Sequence, residues 1–237
     1  MIAIYKRCYL PGVILLLASG IGPTAVAAKS VVRNAKISLS RAQELGEIAA
    51  KSTDFPIVVN ERVLTQLNRY VSTRGGRDSI RKALKRMKSY QPMLDAKSAE
   101  HNVPLELLAL PIVESGYRNL SAAHNPKSKA AGLWQFIPGT ARGFGLRVDQ
   151  KVDERLDEHK ATDAAMRYLA GLKLKFQDWH LALLGYNAGE SRVQKGIEST
   201  GSRDAFEIIE AGFKGDKHYL SRTIAAVIIL KNPSLLE

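Results

Sequence analysis

Three stretches of this sequence set polar side chains with chemical capacity among apolar neighbours: Glu114-Ser115-Gly116, Gly132-Leu133-Trp134-Gln135-Phe136 and Tyr186-Asn187-Ala188-Gly189. Glu114 closes the apolar run Leu105, Leu107, Leu108, Leu110, Ile112 and Val113. Apolar surroundings disfavour a carboxylate anion, and so does the partial negative charge at a helix C-terminus, so both raise its pKa. A carboxylic acid that stays protonated near neutral pH is what a general acid in glycoside cleavage requires. Taken alone, however, Glu114 reads more simply as an exposed glutamate near a helix end. A second carboxylate would strengthen the chemical reading, since retaining and inverting glycosidases place two of them about 5 to 9.5 Å apart. Glu106 lies eight residues back, about 12 Å away along a helix axis. Asp153, Glu154 and Asp157 stay open as positions, Asp153 as a water-orienting base.

The elements that must position these groups read as helices. Helical periodicity runs through almost the whole chain with little strand-type alternation, which predicts an all-α architecture. One helix is expected to start at Asp78 as cap, with Ile80, Leu84 and Met87 on one face. Pro92 and Pro104 each suit a first helical turn, Asn102 capping the second. The run after Pro104 is apolar nearly all round and predicts a helix buried at the centre, ending at Glu114. Pro111 removes a backbone donor and frees the carbonyl of Leu107, so its last turns should bend. Ala161, Ala165, Leu169, Leu172 and Phe176 make one stripe; residues 179–186 make a short apolar helix stopped near Gly189. A final helix spans about 218–230, ended by Asn232-Pro233. Periodicity is weakest over 28–60, and residues 30–54 read as a loosely packed arm. No repeat or low-complexity segment is found.

Lys6 and Arg7, an apolar run over 10–21 and Ala25-Val26-Ala27 predict an export leader cleaved after Ala27. The run is too short against the roughly 20 residues that span a bilayer, so no stable membrane span is expected after cleavage. Cys8 precedes the apolar run, where no lipid-anchoring cysteine would stand, and the mature chain would then hold no cysteine and no disulfide. The formal charge of +12 suits a protein that meets polyanions such as an anionic wall or lipid headgroups. Much of it lies between residues 69 and 88, in Arg69, Arg74, Arg77, Arg81, Lys82, Lys85, Arg86 and Lys88, as either a solvated helix face or a binding patch. Neither zinc-finger spacing nor interleaved aromatics accompany it, which argues against nucleic acid. His101, His124, His159, His180 and His218 show no metal-ligand spacing, and no calcium-loop pattern occurs, so neither metal nor cofactor is expected.

From about residue 60 onward the chain resembles the lytic transglycosylases with a goose-lysozyme-like domain, and among them the membrane-bound transglycosylase D type. The likeness is carried by Tyr90-Gln91-Pro92-Met93, Leu110-Pro111-Ile112-Val113-Glu114-Ser115-Gly116-Tyr117, Ala130-Ala131-Gly132-Leu133-Trp134-Gln135-Phe136-Ile137-Pro138-Gly139-Thr140, Val152-Asp153-Glu154-Arg155, Tyr186-Asn187-Ala188-Gly189 and Tyr219. Ordered motifs at these separations are far more specific than any one of them. With the leader (1–27) and a basic helical extension (28–88) read from the residues, the resemblance implies a lysozyme-like catalytic domain (89–237), working on peptidoglycan in the periplasm or outside the cell. It implies Glu114 as sole catalytic acid and base, with formation of 1,6-anhydromuramoyl ends in place of hydrolysis. Ser115 would hydrogen-bond and orient Glu114, or simply be a polar helix end. Gln135 would bind an acetamido group or hydroxyl from an otherwise apolar helix, and Trp134 would stack on a sugar or fill the core. Tyr186 and Asn187 would line the cleft opposite Glu114, and Tyr219 would hydrogen-bond near it. The Val152-Asp153-Glu154-Arg155 segment would be structural, tying Arg155 to a helix end. The chain departs from the pattern in a long 118–129 loop, in lacking the customary glycine before Ala130-Ala131-Gly132, and in Gly185 where alanine is common, a change that would loosen its helix by about 1 kcal/mol. No carbohydrate-binding repeat is expected after the domain. A lysozyme-type hydrolase and a non-catalytic glycan-binding envelope scaffold remain compatible with the same residues, and envelope secretion or division machinery is a conceivable partner.

Overall fold

The computed structural model describes residues 35–237; the expected leader, its cleavage point and Cys8 lie outside the described residues. Ten α-helices are described: α1 (Leu39–Ala50), α2 (Glu61–Val71), α3 (Arg74–Glu100), α4 (Leu110–Glu114), α5 (Pro138–Gly143), α6 (Glu158–Phe176), α7 (Trp179–Ala188), α8 (Glu190–Thr200), α9 (Ala205–Glu210) and α10 (Tyr219–Lys231). No strand forms among the described residues; there are only isolated bridges, two of them within 120–136. The all-α expectation holds. No helix among the described residues is long and apolar enough to cross a membrane.

Local sequence explains where most helices begin. Ser38, Asn60, Thr73, Asp157 and Asp178 each accept a hydrogen bond from a backbone N–H two or three residues on, satisfying donors that a helix leaves unpaired at its N-terminus. Thr73 therefore starts α3, and the start expected at Asp78 falls inside the helix, where Asp78 pairs with Arg74 and Arg81. Pro92 is interior too, not a first-turn residue. It lies on the exposed side, so the Lys88 carbonyl it deprives of a partner is open to water. The helix runs unbroken through residue 88, where the boundary between extension and catalytic domain was expected.

The segment expected to be a central helix is instead two short pieces. A 3₁₀ turn (Leu105–Ala109) leads into α4, with Pro111 at its second position. Asn102 does not cap it; it takes a left-handed φ of 53° between α3 and Pro104. The central element is α10, buried from Tyr219 to Ile229 except at Arg222, and packed against α1, α2, α4, α7 and the 3₁₀ turn. α6 and α7 form the most extensive helix pair, and the stripe Ala161, Ala165, Leu169, Leu172 and Phe176 is buried as expected. Gly185 serves this contact: a Cβ there would lie 2.9 Å from Leu172 Cδ2 and 3.2 Å from Phe176 Cε2.

The N-terminal arm is packed, not loose, over its described part. Ala42, Leu45 and Ala49 are buried, and Asn68 of α2 exchanges two hydrogen bonds with the backbone of Ile37, at 2.7 and 2.9 Å. The basic run of α3 is in part structural. Arg77 is buried and donates to the Val71 carbonyl at 2.6 Å, and Arg86 donates to the Gly116 carbonyl at 3.1 Å.

Candidate active site

Glu114 is the last residue of α4, and Tyr219 is the first of α10. Their ends meet, and the Tyr219 hydroxyl donates to Glu114 Oε1 at 2.7 Å. Tyr186, near the end of α7, donates to the Trp134 carbonyl at 2.8 Å. This ties the helix end to the 132–136 loop. Between these pieces lies a cleft of about 230 Å³, lined by Glu114, Gln135, Phe136, Ile137, Thr140, Tyr168, Tyr186, Asn187, Ala188, Gly189 and Arg192. Among the described residues, Glu114 is the only carboxylate that lines it.

Burial pushes the Glu114 carboxyl up to about 7, against the Tyr219 hydrogen bond and Arg222, which favour the anion, and with Asp216, which disfavours it. Burial is the cause foreseen from the sequence. The helix C-terminus is not needed, since α4 has only five residues and little dipole to offer. A carboxyl with that pKa is divided between acid and anion at neutral pH, so the same group can donate a proton and later accept one. Burial also raises the Tyr219 and Tyr186 hydroxyls well above the ordinary phenol value, with the charge of Glu114 adding to it. Both stay protonated as donors.

The other anticipated groups fall differently. The Ser115 hydroxyl does not bond Glu114: it is buried and donates to backbone carbonyls, Leu133 at 2.8 Å and Pro111 at 3.3 Å. As the residue just past α4 it turns inward while Glu114 opens to the cleft, so it fastens the 132–136 loop to the helix end. Gln135 lines the cleft from a turn, not from a helix, with φ of 52°. Its amide accepts from Asn125 Nδ2 and donates to the Gly132 carbonyl, both at 2.7 Å, which leaves one N–H and one lone pair for another partner. Trp134 is core: it is fully buried, and its Nε1 donates to Thr162 at 2.9 Å. Asn187 lines the cleft and accepts from the backbone N–H of Asp216 at 3.2 Å, holding the loop before α10.

Arg155 is the organiser of the 129–136 loop. It is buried, forks onto Asp153 at 2.7 and 2.8 Å, and donates to the Phe136 carbonyl at 2.9 Å and to that of Lys129. The geometry is the bidentate one that suits a guanidinium. Asp153 is thereby held as a structural anion below its ordinary pKa, chiefly by the Arg155 hydrogen bonds, and does not line the cleft. Gly132 (φ 81°) passes so close that a Cβ would lie 2.0 Å from the Arg155 carbonyl oxygen. Lys129, at the position of the missing glycine, takes a left-handed φ of 57°, a conformation that costs a side-chain-bearing residue about 1 kcal/mol or more. Glu106 is remote from the cleft and pairs with Lys231 at 2.5 Å.

Sequence reasoning missed Tyr168, Thr140 and Arg192. Tyr168 is buried among the core residues of α6, its ring tilted 33° against that of Tyr186 at 5.3 Å, so nothing in its spacing separates it from packing. Arg192 follows the Gly189 helix stop by three residues, one turn into α8, which is the signal that could have placed it beside the cleft. Among the described residues Glu100, His101 and Asp163 bring ligand atoms within 4.8 Å of one another. Lys97 at 2.9 Å and Arg167 at 3.0 Å already pair with Asp163, and none of the three lines the cleft.

Residues 91–209, half of the chain, match the family model described as Transglycosylase SLT domain. The chain belongs to the SLT transglycosylase domain family. Its likeness to the membrane-bound transglycosylase D type is also found. The chain is 31% identical over 178 residues to membrane-bound lytic murein transglycosylase D of Escherichia coli (strain K12), covering 73% of this chain and 38% of that protein. It is 40% identical over 89 residues to peptidoglycan transglycosylase gp16 of Escherichia phage T7, covering 36% of this chain and 7% of that protein. The SLT match includes Glu114, the 132–136 loop, Arg155, Tyr186 and Asn187, and stops before Tyr219, which α10 brings back to the site.

Proposed function

We propose that this chain is a lytic transglycosylase that cleaves the β-1,4 bond between N-acetylmuramic acid and N-acetylglucosamine in peptidoglycan. The observation that carries the reading is Glu114: one carboxyl, raised to about 7, alone among the cleft side chains and aimed by Tyr219. Family membership and the names of both relatives support it.

Protonated Glu114 donates to the glycosidic oxygen as the C1–O bond breaks, while the muramoyl 2-acetamido group assists at C1. Glu114, now ionised, takes the proton of the same sugar's C6 hydroxyl, and O6 attacks C1 to close a 1,6-anhydro ring. No second carboxylate is required, because the substrate supplies the nucleophile. A well-placed internal hydroxyl has an effective molarity of about 10⁵ M or more, against about 55 M for water, so ring closure outruns hydrolysis. Tyr219 holds Glu114 in line, Tyr186 and Ser115 fix the 132–136 loop, and Gln135 offers its free amide valences to an acetamido group or hydroxyl. The proposed substrate and the leader-like sequence of residues 1–27 support a location in the bacterial envelope.

Mass spectrometry of muropeptides released from purified peptidoglycan tests this. The expected products carry 1,6-anhydromuramoyl ends, and Glu114→Gln should lower their release by about 10²–10⁴-fold, the scale of a lost general acid. Reducing ends would make the chain a lysozyme-type hydrolase, and no release at all would make it a glycan-binding scaffold.

A further inference from the structure

Arg222 is the one break in the buried stretch of α10 between Tyr219 and Ile229. It stands three residues after Tyr219 and so on the same side of the helix. It donates through Nη2 to Asp216 Oδ2, and Asp216 is itself fixed at three points. Its N–H donates to Asn187 Oδ1 at 3.2 Å, its Oδ1 accepts from the His218 N–H at 2.9 Å, and its carbonyl accepts from the Tyr219 N–H at 3.1 Å. An ion pair is thus tied to the start of α10, the end that carries Tyr219 to Glu114. Neither member lines the cleft.

This pair is unlike that of Arg155 and Asp153. Arg155 directs its donors at a carboxylate and two carbonyls. Arg222 Nε is shut from water and has no hydrogen-bond partner among the described residues. Buried donors are nearly always bonded, so an orphan one calls for an account beyond packing. A neighbouring carboxyl that is neutral in one state and an anion in the next gives that account, because the guanidinium then meets its full attraction only in the second state.

The two charges bear on Glu114 with opposite sign: Arg222 favours its anion and Asp216 its acid, each acting less than burial does. Of the other groups that face Glu114, Tyr219 of α10 and Tyr186 of α7 stay protonated, and Tyr168 of α6 and Arg192 of α8 share the cleft wall. From α3, Arg86 is bound to the Gly116 carbonyl, and Glu106 of the 3₁₀ turn is bound to Lys231. On its outer side the pair has the exposed Lys217 and His218 as chain neighbours, and the charge of Arg222 also reaches Tyr70 of α2.

We propose that Asp216 and Arg222 are positioning residues that act through Glu114, Asp216 holding Arg222 in place and favouring the acid, Arg222 favouring the anion left when the proton has gone. The proposal rests on the reading of Glu114 as acid and then base, and adds the device that keeps both states within reach.

NMR titration of full chains carrying ¹³C-labelled glutamate tests it, the Glu114 carboxyl signal being the one lost in Glu114→Gln. Arg222→Met leaves Asp216 unopposed and should move the Glu114 midpoint to higher pH. Asp216→Asn keeps the oxygen that accepts from His218 but leaves Arg222 unopposed, and should move the midpoint to lower pH. Each shift should be about half a pH unit, the scale of a charge partly open to water, and Arg222→Lys should stay near the native midpoint. The two single variants break the same ion pair, so a merely structural role would move both midpoints the same way or neither; either result would overturn the proposal. The alkaline limb of kcat/KM for muropeptide release should follow the midpoint in each variant. Opposed midpoints in a chain that releases no muropeptide, or whose limb stays in place, would keep the pair and remove the acid's role from Glu114.

Discussion

The burial that suits Glu114 to its proposed role as acid costs stability once the group ionises, and the conflict is measurable. Its folded-state pKa, about 7, stands above its ordinary value of 4.5. A carboxyl raised on folding favours the folded state fully below its unfolded pKa, and that contribution is lost as pH rises through the folded value. The window is therefore about pH 4.5 to 7, and a shift of this size is worth about 3 kcal/mol at its upper end. Glu114→Gln keeps a neutral group of nearly the same shape at every pH. Thermal unfolding should thus show the variant more stable than the native sequence at pH 8, by about 1–3 kcal/mol, and indistinguishable from it at pH 4, while its activity is lost. Equal stability at both pH values would mean that burial does not set this pKa. The raised pKa was legible in the sequence, because an apolar run ending in glutamate disfavours the anion, whereas the proposed role as acid needed the company of the other motifs. Ser115 was less so, since a serine beside the acid looks functional, and Trp134 was open between sugar and core: which backbone carbonyl or threonine they reach is settled by contacts 18 and 28 residues away in sequence.

At the scale of elements, a residue that weakens a helix can still be the one its packing needs. Gly185 interrupts the apolar run of α7, and helix propensity alone says that alanine would gain about 1 kcal/mol. The added methyl would stand 2.9 Å from Leu172 Cδ2 and 3.2 Å from Phe176 Cε2, both in the buried stripe of α6. Overpacking of a filled core costs about 1–3 kcal/mol, so packing wins over propensity. Gly185→Ala should lower stability by about 1 kcal/mol in urea unfolding, and a rise of the midpoint would show that α6 yields freely. Because the Tyr168 hydroxyl donates to the Gly185 carbonyl at 3.2 Å, the same displacement would reach the cleft wall. The helices that the sequence placed well, α6, α7 and α10, have polar caps or Gly stops and continuous apolar stripes. Those it misplaced, the start of α3 and the segment before Glu114, depend on a choice between competing local signals. Thr73 outcompetes Asp78 as a cap, and Pro111 divides an apolar run that hydropathy alone reads as one helix.

For the whole molecule, the decisive element is α10, the last long helix in sequence and the central one in space. It supplies Tyr219 to Glu114 and at the same time packs on α1 and α2 from the other end of the chain. The arm over 30–54 looked loose because α1 buries small residues, Ala42, Gly46 and Ala49, around a single leucine, and small residues give little hydropathic signal. Their smallness is the means of attachment: a Cβ on Gly46 would lie 2.6 Å from Val59 Cγ2, so α1 lies close against the segment that leads into α2. Beginning the chain at residue 55 would strip Leu45, Ala42 and Ala49 from the core and leave the Asn68 amide without the Ile37 backbone. One leucine, two alanines and a broken pair of hydrogen bonds amount to about 3–5 kcal/mol. Since α10 rests on the same core, the loss should appear in both places: a lower urea midpoint, and slower release of muropeptides at temperatures where the shortened chain is still folded. A shortened chain with an unchanged midpoint would mean that the SLT domain holds α10, and Tyr219 with it, without help from the arm.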